Sequence, residues 1–214
     1  MKHDAVEELG RSADALAVPL NDEQATKIVR YEEALFERAV PLGLLAEDDA
    51  ETIRRRHTLD CLRAASMMQR AADAYDLGSG AGLPGIVLAI ACPAVRFGLV
   101  DSRRKRVAFL EFVIEELRLP NVVALGVRAE ALDLPVDICL ARAFAPLARA
   151  WEVAEHLLRR RGRLVYFAGA SAAGSPEAGE RAGSIPVPSG ARVLDVLRTP
   201  VLESAGPLVI MARQ

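Results

Sequence analysis

The segment Asp76-Leu77-Gly78-Ser79-Gly80-Ala81-Gly82 joins a short β-like run to a helical one through three closely spaced glycines, and chemistry is most legible there. Glycine lets a backbone turn sharply and brings its N–H groups against a ligand that any Cβ would hold away, as a nucleotide-type cofactor requires. Gly78 and Gly80 are the candidate contacts in that turn. A dinucleotide fingerprint wants its third glycine at position 83, where this chain has Leu83, so a nicotinamide-linked oxidoreductase is disfavoured. S-adenosylmethionine (AdoMet) carries no pyrophosphate but has a cationic amino acid end, for which Asp76 offers a carboxylate. Asp101 follows Gly78 by 23 residues, at the end of the next β-like run, where a carboxylate accepts hydrogen bonds from two ribose hydroxyls. Its competing role is to cap the helix that begins near Arg103. Arg128-Ala129-Glu130 follows the third run and sets a small residue and an acid where an adenine would lie.

These residues need strands that end side by side. The apolar pattern divides the chain at about residue 73. Before it, Ile28, Leu35 and Ala39 recur at helical spacing, as do Ile53, Leu59, Leu62 and Met67, which predicts a helical N-terminal cap over 1–73. From 74 to 214, strands are expected at 74–77, 96–101, 121–127, 136–141 and 163–168, with helices at 84–91, 103–118 and 146–160 between them. Such alternation predicts an α/β fold with a doubly wound, mostly parallel sheet and its ligand at the carboxyl ends of the strands. The Gly-, Ala-, Ser- and Pro-rich stretch 169–190 reads as a mobile loop, and 191–197 with 207–211 as a hairpin-like pair that closes the sheet.

Composition narrows the rest. With 214 residues, 51% of them hydrophobic, the chain can bury one α/β core plus an appendage. The first thirty residues hold His3, Asp4, Glu7, Glu8 and Asp14, and no 18 apolar residues run together, so a soluble cytoplasmic protein with no membrane segment is expected. Cys61, Cys92 and Cys139 are widely spaced with no C-x-x-C pair, which predicts reduced, buried thiols and no metal. A net charge of −2 confines any polyanion site to a patch. Basic runs at Arg54-Arg55-Arg56-His57, Arg103-Arg104-Lys105-Arg106 and Arg159-Arg160-Arg161 could supply one, although 24 arginines against 3 lysines fit an Arg-favouring genome equally well.

An acid, one spacer, then G-x-G-x-G is the AdoMet loop pattern of Rossmann-like class I methyltransferases. With DLGSGAGLPGIVLAI at 76–90, LVDSRRKRVAFL at 99–110, RAE at 128–130 and ARAFAPL at 141–147, the chain resembles the bacterial small-subunit rRNA guanine-N7 methyltransferases, also called glucose-inhibited division protein B. Upstream, Arg56-His57-Thr58-Leu59-Asp60-Cys61-Leu62 is similar to that family's R-H-x-L-D-S-L segment. The resemblance implies an AdoMet-dependent enzyme that methylates N7 of a single guanine in the decoding region of 16S rRNA, on naked rRNA or on the small subunit, acting as a monomer. It implies AdoMet contacts at Gly78, Leu83, Ala129, Glu130 and Arg142, and a part in activity for Arg128 and Arg142. The chain departs from the family at Ala39-Val40-Pro41-Leu42-Gly43-Leu44, where N-L-T is usual, and at Ala168-Gly169, where Lys-Gly is usual. A methyltransferase with another acceptor and a non-catalytic AdoMet-binding module therefore both stay open.

Acceptor chemistry adds an independent constraint. The turn after the fourth strand reads Ala141-Arg142-Ala143-Phe144-Ala145-Pro146, without the Asp/Asn-Pro-Pro-aromatic motif that holds an exocyclic adenine amine. Cytosine C5 needs a cysteine nucleophile, and Cys139 lies inside an expected buried strand. Guanine N7 has a free lone pair and no proton, so positioning alone can carry the reaction. Arg142 is the expected positioning residue, with pairing to Asp137 or Glu130 as its structural alternative. Phe144 is placed either to stack on a flipped base or in the core, and His57 either in the structure or on a ligand.

Overall fold

The computed structural model describes residues 2–46, 50–169, 187–202 and 205–214. α1 (Lys2–Ala15) and α2 (Asp22–Ala34) open the chain. α2 begins at a capping box in which the Asn21 side chain accepts from the Gln24 N–H and the Gln24 side chain from the Asn21 N–H, and it runs on into a π-helical turn at Leu35–Ala39. A second helical run joins α3 (Ala50–Ile53), a π-helical turn at Arg54–Thr58 and α4 (Leu59–Leu62). Strands and helices then alternate: β1 (Asp73–Leu77), α5 (Gly85–Ala91), β2 (Arg96–Val100), α6 (Arg104–Glu116), β3 (Val122–Leu125), β4 (Val136–Arg142), α7 (Leu147–Leu157) and β5 (Leu158–Phe167). β6 (Ala191–Leu197) and β7 (Leu208–Arg213) complete the described elements.

The seven strands form one sheet in the order β3-β2-β1-β4-β5-β7-β6. The first five strands of that order run parallel, and β7 is antiparallel to both β5 and β6. The α/β doubly wound sheet is thus the observed class. Strand order reverses between β1 and β4, so the loops leaving these neighbours diverge and open a crevice at their carboxyl ends. The expected closing pair forms, with β7 inserted beside β5 and β6 at the edge. Most of the loop expected at 169–190 lies outside the described residues.

The widest difference from the expected boundaries falls between α7 and β5. Helix was expected through residue 160, but α7 stops at Leu157 and β5 begins at Leu158. The ladder slips between Val136↔Leu158 and Ile138↔Arg163, so the Arg159–Arg161 run lies in an irregular stretch of strand. Arg159 Nη1 reaches Asp73 Oδ1 (2.5 Å) and Asp137 Oδ1 (2.8 Å), carboxylates at the starting ends of β1 and β4. Those charges hold the run at the end of the sheet opposite the crevice.

Alternation along the strands builds two cores. Ala74, Phe97, Leu99, Ile138, Leu140 and Val165 face α5 and α6, whereas Leu77, Cys139, Leu164 and Met211 face Trp151 and Leu157 of α7. Ile28, Tyr31, Leu35, Ile53 and Leu62 of the N-terminal helices belong to the first of these clusters and are fully buried. The segment before residue 73 therefore shares its core with the sheet. Gln24 Nε2 adds a polar tie, donating to the Ile90 and Ala91 carbonyls in the last turn of α5 (3.0 and 3.1 Å). Cys61 and Cys139 are buried free thiols and Cys92 is half-buried. Among the described residues no helix is long and apolar enough to cross a membrane, and no three His, Cys, Asp or Glu side chains gather as a metal would need.

Candidate functional site

The glycine loop leaves the end of β1 and enters α5. Gly78 (φ +67°) and Gly82 (φ +97°) take left-handed backbone conformations at crowded positions. A Cβ at Gly78 would meet the Phe144 ring at 2.5 Å; one at Gly82 would meet Ile86 Cγ1 at 2.6 Å and the Tyr31 hydroxyl at 3.0 Å. Tyr31 also donates its buried hydroxyl to the Ala81 carbonyl at 2.7 Å, so α2 braces the loop from behind. Nothing local in the sequence marks Tyr31 for this role.

Asp76 lies beneath this loop. Strand alternation turns its side chain towards the start of α5, where it is fully buried. Its Oδ2 accepts from the Ser79 hydroxyl (2.5 Å) and the Gly85 N–H (3.0 Å), and Oδ1 is buried without a hydrogen-bond partner among the described residues. Burial pushes the carboxyl up to about 6, against the opposing pull of the Ser79 and Gly85 hydrogen bonds. Asp76 fixes the shape of the loop.

The crevice has two lobes that share Gly78, Arg106 and Ala143. The smaller, about 180 Å³, is lined by Gly78, Asp101, Arg128, Ala129, Glu130 and Phe144. Asp101 is buried, and its Oδ2 accepts from the Gly80 N–H (3.1 Å) and from Arg106 Nη1 (3.1 Å) while Oδ1 accepts from the Arg103 N–H (2.9 Å). It therefore holds the backbone of Arg103, the residue that precedes α6, and ties it to the glycine loop. Ala129 is buried at the back of the lobe. Arg128 is exposed at its lip, and Glu130 is exposed and paired to Arg149 at 2.6 Å.

The larger lobe, about 750 Å³, runs from Gly80 and Leu83 to Arg142 and Tyr166, with Arg55, Arg56, His57 and Asp60 along one wall. Arg142 ends β4 and is followed by Ala143, a non-glycine residue at φ +51°, a strained conformation of the kind that collects at functional sites. Its partners are not Asp137 or Glu130, which pair with Arg159 and Arg149. Arg142 Nε instead donates to Asp60 Oδ2 (3.1 Å), and Nη2 donates to the Arg56 carbonyl (3.2 Å) and to His57 Nδ1 (2.6 Å). A guanidinium can only donate, so Nδ1 accepts and the ring proton sits on Nε2. Asp60 also holds Arg63, whose Nη2 donates to the Gly206 carbonyl at 2.7 Å. The π-helical turn at Arg54–Thr58 puts Arg56 and His57 against this cation, one of the uses of that irregularity. Arg54 faces the other way, into a pair with the buried Glu32 at 2.6 Å, and is removed from any RNA-facing patch.

Of the residues expected from the sequence, Gly78, Gly80, Leu83, Asp101, Ala129, Glu130, Arg128 and Arg142 line the crevice. Asp60 and Arg106 lay within motifs already singled out, without a role of their own; Ser79 and Tyr31 carried no signal.

A family model described as rRNA small subunit methyltransferase G, GidB, matches residues 24–186. The protein named ribosomal RNA small subunit methyltransferase G in Janthinobacterium sp. (strain Marseille) is 34% identical over 213 residues, covering 96% of this chain and 93% of its own. Its namesake in Salmonella paratyphi B is 35% identical over 201 residues, covering 93% of each. Among solved structures, a mutant of MtNAS in complex with S-adenosylmethionine superposes with a TM-score of 0.58 at 19% identity, covering 97% of this chain and 77% of that one. A ribosomal protein L11 methylase from Lactobacillus delbrueckii subsp. bulgaricus gives 0.55 at 13% identity, covering 74% and 79%. At such identities the structural likeness speaks to the fold.

Proposed function

The chain belongs to the GidB family, rRNA small subunit methyltransferase G, and from that premise we propose that this AdoMet-dependent 16S rRNA methyltransferase transfers its methyl group to N7 of a single guanine in the decoding region. The observation that carries the reading is the crevice at the β1/β4 reversal, where a glycine loop faces a fixed cation, Arg142, and Asp60, His57 and Tyr166, which line the lobe beside that cation, are already engaged. Asp60 is held by Arg63 and Arg142, His57 Nδ1 accepts from Arg142, and the Tyr166 hydroxyl donates to the Ala145 carbonyl at 3.1 Å. Guanine N7 has no proton to lose, so its methylation asks for no base.

The residues present fit AdoMet. A Cβ at Gly80 would meet nothing closer than 3.8 Å, so the loop has open space in front of it, and a lobe of about 750 Å³ lies within the range of roughly 300–1,000 Å³ usual for ligand pockets. Gly78, Gly80 and Leu83 would hold the amino acid end, Asp101 the ribose, and Ala129 with Glu130 the adenine. Bound AdoMet supplies a sulfonium methyl that a nitrogen lone pair takes directly, the N–C bond forming as the C–S bond breaks. Arg142, anchored through Nε and Nη2, keeps Nη1 for the acceptor and positions it. Arg128 at the lip of the smaller lobe holds the adjoining RNA, and Phe144, packed on Gly78, offers a face for the flipped base. Holding two reactants in line can supply about 7–11 kcal/mol of barrier reduction, enough for most of the acceleration without proton transfer.

The enzyme acts in the cytoplasm, as a monomer, on 16S rRNA or the small subunit. Ala168 and Gly169, where the family usually has Lys-Gly, line the larger lobe together with Arg142 and Tyr166. The test is rRNA carrying 7-deazaguanosine at the target position, which replaces the reacting nitrogen with C–H. Loss of methyl transfer to that RNA supports N7; retained transfer would assign the reaction to another atom.

A further inference from the structure

A carboxylate has room for about four hydrogen bonds, two on each oxygen, and Asp101 uses three: Gly80 N–H and Arg106 Nη1 on Oδ2, Arg103 N–H on Oδ1. A ribose diol that binds through both hydroxyls needs two acceptor positions, and one is open. The two backbone donors belong to the glycine loop and to the residue that leads into α6, so neither can leave without moving the backbone. Arg106 can leave by rotating its side chain, which is partly exposed and borders both lobes.

The surroundings leave the displaced guanidinium in want of an anion. Arg103, Arg104 and Lys105 are exposed beside Arg106 at the start of α6, the positive end of the helix dipole. Cations there oppose the dipole and one another, and Asp101 neutralises Arg106 only while the two stay paired. Once that pair opens, the helix end becomes an uncompensated cationic cluster at the rim of the crevice, suited to an anion.

Resting on the assignment of this crevice to AdoMet and rRNA, we propose that Arg106 exchanges partners: the cofactor ribose displaces it from Asp101, and the freed guanidinium takes a phosphate of the rRNA. Cofactor binding then builds part of the RNA site. By thermodynamic reciprocity RNA binding tightens the cofactor by the same factor.

The test uses the full chain, S-adenosylhomocysteine, which has the ribose but no methyl to transfer, and 16S rRNA lacking the modification. Arg106→Met removes the donor at similar length, and Arg106→Lys retains a cation. In the wild-type protein, rRNA affinity is expected to rise by about 5-fold or more when S-adenosylhomocysteine is present, the lower end of usual coupling. In Arg106→Met, S-adenosylhomocysteine binds more tightly than in wild type and the coupling disappears. The salt dependence of rRNA binding in its presence also falls by about one ionic contact. Arg106→Lys keeps measurable coupling. Equal or weaker S-adenosylhomocysteine binding by Arg106→Met, or unchanged coupling, overturns the exchange while leaving the methyltransferase reading intact. Failure of rRNA to bind either protein overturns the acceptor reading and the exchange with it.

Discussion

In the proposed reaction Arg142 positions the acceptor, and its neighbours explain why that residue would have to be arginine. Three of its N–H groups are committed to Asp60, Arg56 and His57, a geometry that a lysine ammonium on a flexible stem cannot reproduce. Both Arg142→Lys and Arg142→Ala are expected to lower methyl transfer by about 100-fold, the usual consequence of misplacing a reactant by an ångström. Asp60 keeps Arg63 as its counterion, so the loss of stability should be confined to the acceptors left on Arg56 and His57, about 1–3 kcal/mol; failure of either variant to fold would make Arg142 a structural residue. At Asp76 the prediction concerns pH. Its folded-state value, about 6, lies above the usual 3.8, so the stability it lends is full below about 3.8 and is lost as pH rises through 6. The span is on the order of 3 kcal/mol. Urea unfolding of the wild type and Asp76→Asn should show the wild type losing ground to the variant by that order between pH 4 and 7, and a flat difference would contradict the burial of an ionisable carboxyl there.

Among the elements, the glycine loop was the most legible in the sequence, because a left-handed backbone in close contact admits little besides glycine and the signal is local. Gly82→Ala should therefore cost about 1–3 kcal/mol, from strain at φ +97° and collision with Ile86 and Tyr31, measurable by thermal denaturation. Tyr31→Phe leaves the Ala81 carbonyl without its buried donor and should cost about 1 kcal/mol while weakening AdoMet binding in a titration. An unchanged AdoMet affinity would separate the brace from the site. What the sequence hid was set by distant partners. The start of β5 was obscured because an arginine run reads as the solvated face of a helix, and only Asp73 and Asp137, far back in the chain, pull it into the sheet. Asp60 lies 82 residues from Arg142, a separation that no motif spacing expresses. The burial of Asp76 was readable in principle from strand alternation, since Ala74 and Asp76 must share a face.

At the scale of the whole molecule, the helical segment before residue 73 and the sheet form one core. Residues 74–214 expressed alone would expose the surface now covered by Ile28, Tyr31, Leu35, Ile53 and Leu62, and are expected to be insoluble or to lack a cooperative melt. A soluble, AdoMet-binding 74–214 fragment would show that the cap is a separable module. Charge is also distributed with direction: Arg55, Arg56, Arg106, Arg128 and Arg142 border the crevice, while Arg159 is held at the opposite end of the strands. A chain of net charge −2 can thus present RNA with a local cationic rim around the crevice. The most direct measurement is transfer of a labelled methyl group from AdoMet to 16S rRNA and to small ribosomal subunits that lack the modification, with the site mapped by strand cleavage at 7-methylguanine. Label at one guanine of the decoding region is the predicted result; AdoMet bound with no label on either substrate would contradict it.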